Sequence, residues 1–140
     1  MNALRAIYKY WAALVFVGVL VQVGAAGYGA FYVSNKLQDK GDVLAHKGFD
    51  HAWNFHGIFG TILVGAMLIL LILGLVARIG KPAIYFPLGL AVAGVVQIFL
   101  AGLGTSVPAL GFLHPINALA IFALSGLIAH RAWRRSAPAA

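Results

Sequence analysis

The sequence predicts an all-α fold: an integral membrane, antiparallel four-helix bundle built from two parallel two-helix repeats. Three observations lead to this prediction. Of the 140 residues, 62% are apolar and 9% are charged, whereas soluble domains are about a quarter charged. Four apolar segments are long enough to cross a bilayer, and one short sequence pattern occurs twice. Composition alone excludes an ordinary soluble domain and a disordered tail.

Four segments contain the roughly 20 mostly apolar residues that a membrane helix needs to cross about 30 Å of hydrocarbon. They run approximately over residues 7–33, 52–77, 83–104 and 112–130, and form a single four-span domain over 1–140. The first follows two basic residues, as a signal peptide would. Its apolar stretch is too long for one, so we interpret it as a membrane anchor. Short connections make neighbouring helices antiparallel.

The formal charge of +7 would ordinarily suggest a nucleic-acid partner, but the positions of the basic residues argue for a role in topology. Three regions carry basic residues and no acid, and lie before the first span, between the second and third, and after the fourth: Arg5, Lys9, Arg78, Lys81, Arg131, Arg134 and Arg135. The loop 34–50 balances three Lys against three Asp. The positive-inside rule therefore predicts cytoplasmic termini. Because the basic residues lie beside the spans, we expect the lipid bilayer as a partner and no nucleic acid.

An internal repeat is predicted from the pattern V-Q-(V/I)-x-x-A-G-x-G, which occurs at Val21–Gly29 and at Val96–Gly104. Each copy ends a span on the outer side and is followed by a loop and a helix that opens with a histidine, His56 or His114. Both halves enter from the cytoplasm, so the repeats are parallel. Gly and Ala are abundant, which leaves chance as the alternative, but the matching glutamines favour duplication.

His56 and His114 are the candidate metal ligands. Ionisable residues inside a span are functional by default, and in an up-down bundle the second and fourth helices lie diagonally, so the imidazoles can face each other. That geometry suits one haem b per chain with two axial histidines, which favours electron transfer over oxygen binding. The alternative is two interfacial histidines bonded to backbone carbonyls. Bare zinc or copper would need three or four ligands.

Gln22, Gln97 and Asn117 are candidate cofactor-binding residues inside apolar helices. The simpler role for each is an interhelical hydrogen bond, worth about 1 kcal/mol or less. The alternative is to orient an axial imidazole or to meet the polar edge of a cofactor. Of the remaining histidines, His46 and His130 are interpreted as solvated or interfacial. His51 is expected to be exposed, with a cofactor carboxylate or a partner as the alternative ligand.

Pro115 bears on the depth of His114. A residue before proline is biased away from the helical region, so His114 is expected at a helix start, nearer the outer surface than His56. The exception is a helix that begins near Pro108 and kinks. A depth difference larger than a haem can bridge would exclude shared ligation.

Several chemistries lack the residues they need. The spans contain no Asp, Glu, Lys or Arg between their anchors, which leaves no carboxylate proton relay. Cysteine is absent, so disulfides and thiolate ligands are impossible. No nucleophile elbow, phosphate-binding loop or dinucleotide fingerprint is present, and no catalytic residue is assigned.

The region 55–135, above all Val96–Gly104 and Leu113–Leu119, resembles an uncharacterised family of small bacterial four-helix membrane proteins and, more distantly, one half of haem A synthase. The resemblance implies a b-type haem between histidines at the outer ends of the second and fourth helices, here His56 and His114, in the bacterial cytoplasmic (inner) membrane. The glutamate that precedes the first histidine in the catalytic half is absent, with Trp53 and Asn54 in that neighbourhood instead, so the resemblance supports haem binding better than haem oxidation.

Three functional hypotheses follow. The first is a membrane b-type cytochrome that exchanges electrons near the outer face with a quinone, a redox partner protein or a second copy of the chain. The second is a non-catalytic accessory or assembly subunit of a larger membrane complex, with structural histidines. The third is haem delivery or sensing. In each, the chain is more a binding or electron-transfer protein than a stand-alone enzyme.

Overall fold

A computed structural model describes residues 2–134, and every regular element among them is helical. The elements are α1 (Asn2–Lys36), α2 (His46–Val76), α3 (Pro82–Ser106), α4 (Pro108–Gly111) and α5 (Leu113–Arg134). Four helical units are long and apolar enough to cross a membrane: α1, α2, α3, and α4 with α5 over 108–134. This confirms an all-α, multi-pass membrane protein. Arg135, one of the basic residues used to predict cytoplasmic termini, lies outside the described residues.

The helices are longer than the spans predicted from hydropathy. α1 continues to Lys36 and α2 begins at His46, after Ala45, whose backbone is extended. Hydropathy marks only the part of a helix that fits the hydrocarbon, while polar residues beyond it remain helical until a turn stops them. α2 ends at such a turn, where Arg78 (φ 47°) and Gly80 (φ 117°) adopt left-handed backbone and Pro82 opens α3.

The fourth span is interrupted near its N-terminal end. The single helix predicted from about residue 112 begins instead at Pro108, pauses at Phe112 and resumes at Leu113. Pro115 explains the interruption, because proline has no N–H for the carbonyl four residues earlier and its ring collides with that carbonyl. The acceptor affected is Gly111. His114 therefore lies in the first turn of α5 with a helical turn already before it.

Each long helix packs against two others: α1 contacts α2 and α5, and α3 contacts the same two. The contacts between α1 and α2 run in opposite numerical order along the two helices. Trp11 Nε1 donates to the carbonyl of Ala66 at 2.9 Å, whereas Gln22 Nε2 donates to the carbonyl of His56 at 2.7 Å. α2 and α5, which carry the two histidines, are thus separated along the ring by α1 and α3.

The buried core occupies one half of the bundle. Its members recur every three or four residues in each helix, as helix packing requires; they include Tyr8, Ala12, Val15, Val19, Leu63, Met67, Leu70, Leu90, Ala91, Ile121, Ser125 and Ile128. In the other half, over residues 20–62 and 95–120, only Gly29 and Ala52 are buried. The half of the bundle that contains the candidate site is therefore the less tightly packed one.

Candidate functional site

His56 and His114 come together in the loosely packed half of the bundle. Their ring centroids are 6.2 Å apart and their planes are inclined by 58°. His56 lies about three turns into α2, and His114 is the second residue of α5. His114 was expected to lie nearer the outer surface than His56, but the two rings lie beside each other. The reason is that the short α4 precedes His114, which is the alternative in which a helix begins near Pro108.

Each histidine exchanges two hydrogen bonds with a glutamine of the helix beside it. Gln22 Nε2 donates to the backbone carbonyl of His56 at 2.7 Å, and His56 Nδ1 lies 3.3 Å from the carbonyl oxygen of Gln22. The same pair forms between Gln97 and His114, at 3.0 Å and 3.2 Å. The glutamine side chains therefore make interhelical bonds, and the glutamine backbones orient the imidazoles.

These bonds fix the tautomer of both imidazoles. A carbonyl oxygen only accepts, so Nδ1 of His56 and of His114 must carry the proton and donate. In the neutral ring, Nε2 then keeps an unprotonated lone pair. Among residues 2–134, neither Nε2 has a hydrogen-bond partner. Each imidazole thus has an unprotonated Nε2 and an Nδ1–H held by a backbone carbonyl, which is the arrangement of many metal-ligating histidines.

A small residue leaves each carbonyl accessible to its imidazole. In a helix, the side chain at position i+4 lies next to the carbonyl of residue i. Ala26 and Ala101 each follow a glutamine by four residues and are the shared Ala of the repeated pattern. Every residue type has a backbone carbonyl, so the identity of Gln22 or Gln97 does not predict that its carbonyl is the acceptor. The spacing Gln-x-x-x-Ala is the one sequence feature that could have indicated it.

Asn117 distinguishes the two halves of the site. Its Nδ2 donates to the carbonyl of Ala93 at 2.8 Å and to Gln97 Oε1 at 2.7 Å, so the amide of Gln97 is satisfied at both ends. Asn117 follows His114 by three residues, and the residue that follows His56 by three is Phe59, which has no polar group. Gln22 Oε1 is accordingly buried without a hydrogen-bond partner.

Two glycines hold the helices close together beside the site. A Cβ at Gly29 would lie 2.7 Å from the Ala52 carbonyl oxygen and 2.9 Å from the Trp53 ring. A Cβ at Gly104 would lie 2.7 Å from Gly111 Cα. Each glycine is the last residue of a copy of the repeat. Sequence reasoning did not place Trp53 in the site, although its ring meets the His56 ring edge-on at 6.0 Å.

The other histidines do not join this pair. His51 is exposed, and its Nε2 lies 3.0 Å from the hydroxyl of Tyr28. His46 pairs with Asp50 at 2.9 Å in the first turns of α2, and His130 is exposed. Within 2–134, no three His, Asp or Glu side chains gather as a metal-binding group. The protein ligands that the site offers are therefore two imidazoles.

The chain matches no protein-family model, no curated protein and no solved structure. The resemblance to half of haem A synthase therefore stays a prediction from the sequence, and function has to be argued from the site itself.

Proposed function

We propose that this chain is a bis-histidine b-type haem protein that transfers electrons near the outer face of the bacterial cytoplasmic membrane, with His56 and His114 as the ligands of one haem. The observation that supports the proposal best is the histidine pair itself. Its rings are 6.2 Å apart, each Nδ1 is engaged by a backbone carbonyl, and each Nε2 is left for a metal.

The separation of the rings fits two imidazoles on one iron. A metal–imidazole nitrogen bond is about 2.0 Å and the ring centre lies about 1.1 Å behind the nitrogen, so two opposed imidazoles have centres about 6.2 Å apart. His56 and His114 are at 6.2 Å. Haem supplies the four remaining nitrogen ligands itself, which is why two protein ligands suffice here and would not for zinc.

The residues of the site have distinct roles in this proposal. His56 and His114 would hold the haem, which would supply one-electron transfer. The carbonyls of Gln22 and Gln97 accept from Nδ1–H, which orients the imidazoles and raises their basicity as ligands. The side chains of Gln22, Gln97 and Asn117 tie α1 to α2 and α3 to α5. Few side chains are buried in this half of the bundle, so a haem bound there would displace little of the buried core.

The repeat and the antiparallel arrangement are part of the same proposal. Equivalent residues make equivalent contacts: Gln22 with His56 and Gln97 with His114. The terminal glycine of each copy closely approaches the backbone that leads to a histidine: Gly29 approaches α2, which carries His56, and Gly104 approaches Gly111 of α4, three residues before His114. The uneven charge supports cytoplasmic termini, so the site faces outward toward a quinone, a redox protein, a second copy or a larger complex.

The same hydrogen bonds favour a second candidate function. The glutamine–histidine pairs join neighbouring helices without any ligand, as they would in an accessory subunit whose histidines are structural. Haem delivery or sensing is a third candidate, which shares the site with the first. The midpoint potential and the haem dissociation rate would separate it from electron transfer.

The test is the absorption spectrum of the protein purified in mild detergent from haem-replete cells, recorded reduced and oxidised. We expect sharp b-type α and Soret bands that are lost in His56→Ala and in His114→Ala. His51→Ala and His130→Ala, which change exposed histidines, are the matched controls and should keep the bands. Imidazole added to His56→Gly should restore them if that side chain is a ligand.

Two results would contradict the proposal. A helical, monodisperse protein that is colourless and takes up no added haemin would favour the accessory subunit. Bands that persist in both His56→Ala and His114→Ala would place a haem elsewhere on the chain.

A further inference from the structure

We infer that the end of the bundle opposite the histidine pair binds one anionic phospholipid, with its phosphate held between Arg5 and Arg131. This inference does not depend on the haem proposal, because it rests on other residues and has its own test.

The binding site is a cavity of about 180 Å³. It is bounded by the first turns of α1, the connection between α2 and α3, the start of α3 and the last turns of α5. Arg5 and Arg131 line it from two different helices, with Phe86, Ile79 and Ile128 among the apolar residues of the wall. Its volume exceeds by about tenfold the roughly 10–15 Å³ that one water requires, so it can admit a phosphate group.

This end of the molecule carries positive charge that the described residues do not neutralise. Its basic residues are Arg5, Lys9, Arg78, Lys81, Arg131 and Arg134. The three acidic residues of the chain, Asp39, Asp42 and Asp50, all lie at the other end. In the range 2–134 no Lys or Arg forms an ion pair; the one salt bridge joins His46 and Asp50. An anion from outside the chain is therefore the natural counter-charge.

Arg131 is held in place at the cavity. Its guanidinium carbon lies 4.3 Å from the centre of the Phe86 ring, on α3. Stacking on an aromatic face orients the guanidinium plane, so the Arg131 side chain loses less conformational entropy when it forms hydrogen bonds. A guanidinium can donate two parallel hydrogen bonds to a phosphate. With Arg5 from α1, the cavity offers two such donors to one phosphate.

The surroundings favour a phospholipid over free phosphate. The cavity lies at the ends of membrane helices, which is the depth of the headgroups, and much of its wall is apolar and suited to a glycerol and the start of an acyl chain. Basic pockets between membrane helices bind anionic headgroups in this way. The excess of basic residues assigns this end to the cytoplasmic leaflet, which is rich in anionic lipid.

The test measures lipid retention and thermal unfolding of the full chain in neutral phosphatidylcholine micelles, with phosphatidylglycerol or inorganic phosphate added. We expect phosphatidylglycerol to raise the unfolding temperature and one molecule to be retained in native mass spectrometry. Arg5→Gln/Arg131→Gln should weaken retention about tenfold. The control Lys81→Gln/Arg134→Gln removes the same charge from the same end but not from the cavity, and should retain the lipid.

Three outcomes would overturn the inference. An equal loss of lipid retention in both double variants would mean that phosphatidylglycerol binding depends only on the overall charge of this end. Inorganic phosphate that displaces the lipid and gives the same stabilisation would mark a free-anion site. Unfolding temperatures that do not respond to phosphatidylglycerol would leave the arginines with a topological role only. Circular dichroism of each variant checks that it is folded.

Discussion

The two glutamines of the site occupy equivalent positions but have unequal hydrogen bonding. Gln97 donates to the His114 carbonyl and accepts from Asn117, whereas Gln22 donates to the His56 carbonyl and has a buried oxygen without a partner. A buried polar atom without a partner costs about 1–3 kcal/mol. The difference comes from the single exchange of Asn117 for Phe59.

This inequality predicts different effects of the same substitution. Gln22→Met loses one hydrogen bond but also removes the unpartnered oxygen, so we expect little change in the free energy of unfolding. Gln97→Met loses two bonds and leaves Asn117 without one of its acceptors, so it should destabilise by about 1 kcal/mol more. Reversible unfolding in mixed detergent micelles measures both. Equal losses, or a larger loss for Gln22→Met, would contradict the assigned bonding.

The sequence identified the side chains of the candidate site better than it identified the backbone carbonyls that accept their hydrogen bonds. His56, His114, Gln22, Gln97 and Asn117 were predicted as cofactor-binding candidates. The structure places them in two neighbouring hydrogen-bonded groups, Gln22 with His56 and Gln97 with His114 and Asn117, and their role in binding a cofactor stays a prediction. The backbone acceptors of Nδ1 were not predicted for a glutamine, because any residue supplies a carbonyl. Trp53 was missed because an interfacial aromatic has the same sequence signature as one that packs on a histidine of the site.

Gly74 of α2 packs directly against the backbone at the start of α3. A Cβ on Gly74 would collide with the carbonyl oxygen of Ala83, so the tight connection over 77–81 depends on the absence of a side chain there. Gly65, nine residues earlier on α2, has no atom within 4 Å of a Cβ built on it. The pair separates the packing role of a glycine from its helix propensity.

We therefore expect opposite effects of alanine at the two glycines. Gly65→Ala should stabilise by about 0.5–1 kcal/mol, because alanine is the better helix former. Gly74→Ala should destabilise by about 1–3 kcal/mol, since the Ala83 backbone must move. Unfolding temperatures in one detergent compare them directly. Stabilisation by both would show that α2 and α3 are farther apart than described.

Element types were predictable from sequence, while element ends were only partly so. Long apolar runs and the bilayer thickness determine four helices. Their ends depend on backbone geometry at Arg78 and Gly80 and on the polar residues around His46, which hydropathy does not detect. The break at Phe112 was signalled by Pro108 and Pro115, yet its position depends on which backbone bond Pro115 removes.

The whole molecule has two unlike halves, a tightly packed half with basic ends and a looser half with the histidine pair. Hydropathy cannot show this division, because lipid-facing and core-facing residues are equally apolar. Which helices are neighbours also depends on packing: α1 and α3 both lie between α2 and α5. Because the basic residues gather at one end of the bundle, the positive-inside rule predicts that the two ends face different compartments.

Orientation can be tested with single cysteines, because the chain has none. In spheroplasts of a bacterial host, Lys40→Cys in the outer loop should react with a membrane-impermeant maleimide. Lys81→Cys, in the connection between α2 and α3, should react only after permeabilisation if the basic end is cytoplasmic, as the positive-inside rule predicts. Both residues are exposed, so access to the reagent differs only by side. The reverse labelling would contradict cytoplasmic termini.

The acceptors that hold the two imidazoles are peptide oxygens, and this has a consequence for how the site tolerates genetic change. No codon substitution at position 22 or 97 deletes a peptide oxygen, so the proton on Nδ1 keeps its partner whichever side chain is encoded there. The vulnerable codons are those of Ala26 and Ala101, one turn away, where a bulky side chain would cover the oxygen. For the orientation of the imidazoles, mutational sensitivity is therefore expected at Ala26 and Ala101 in addition to the histidines themselves.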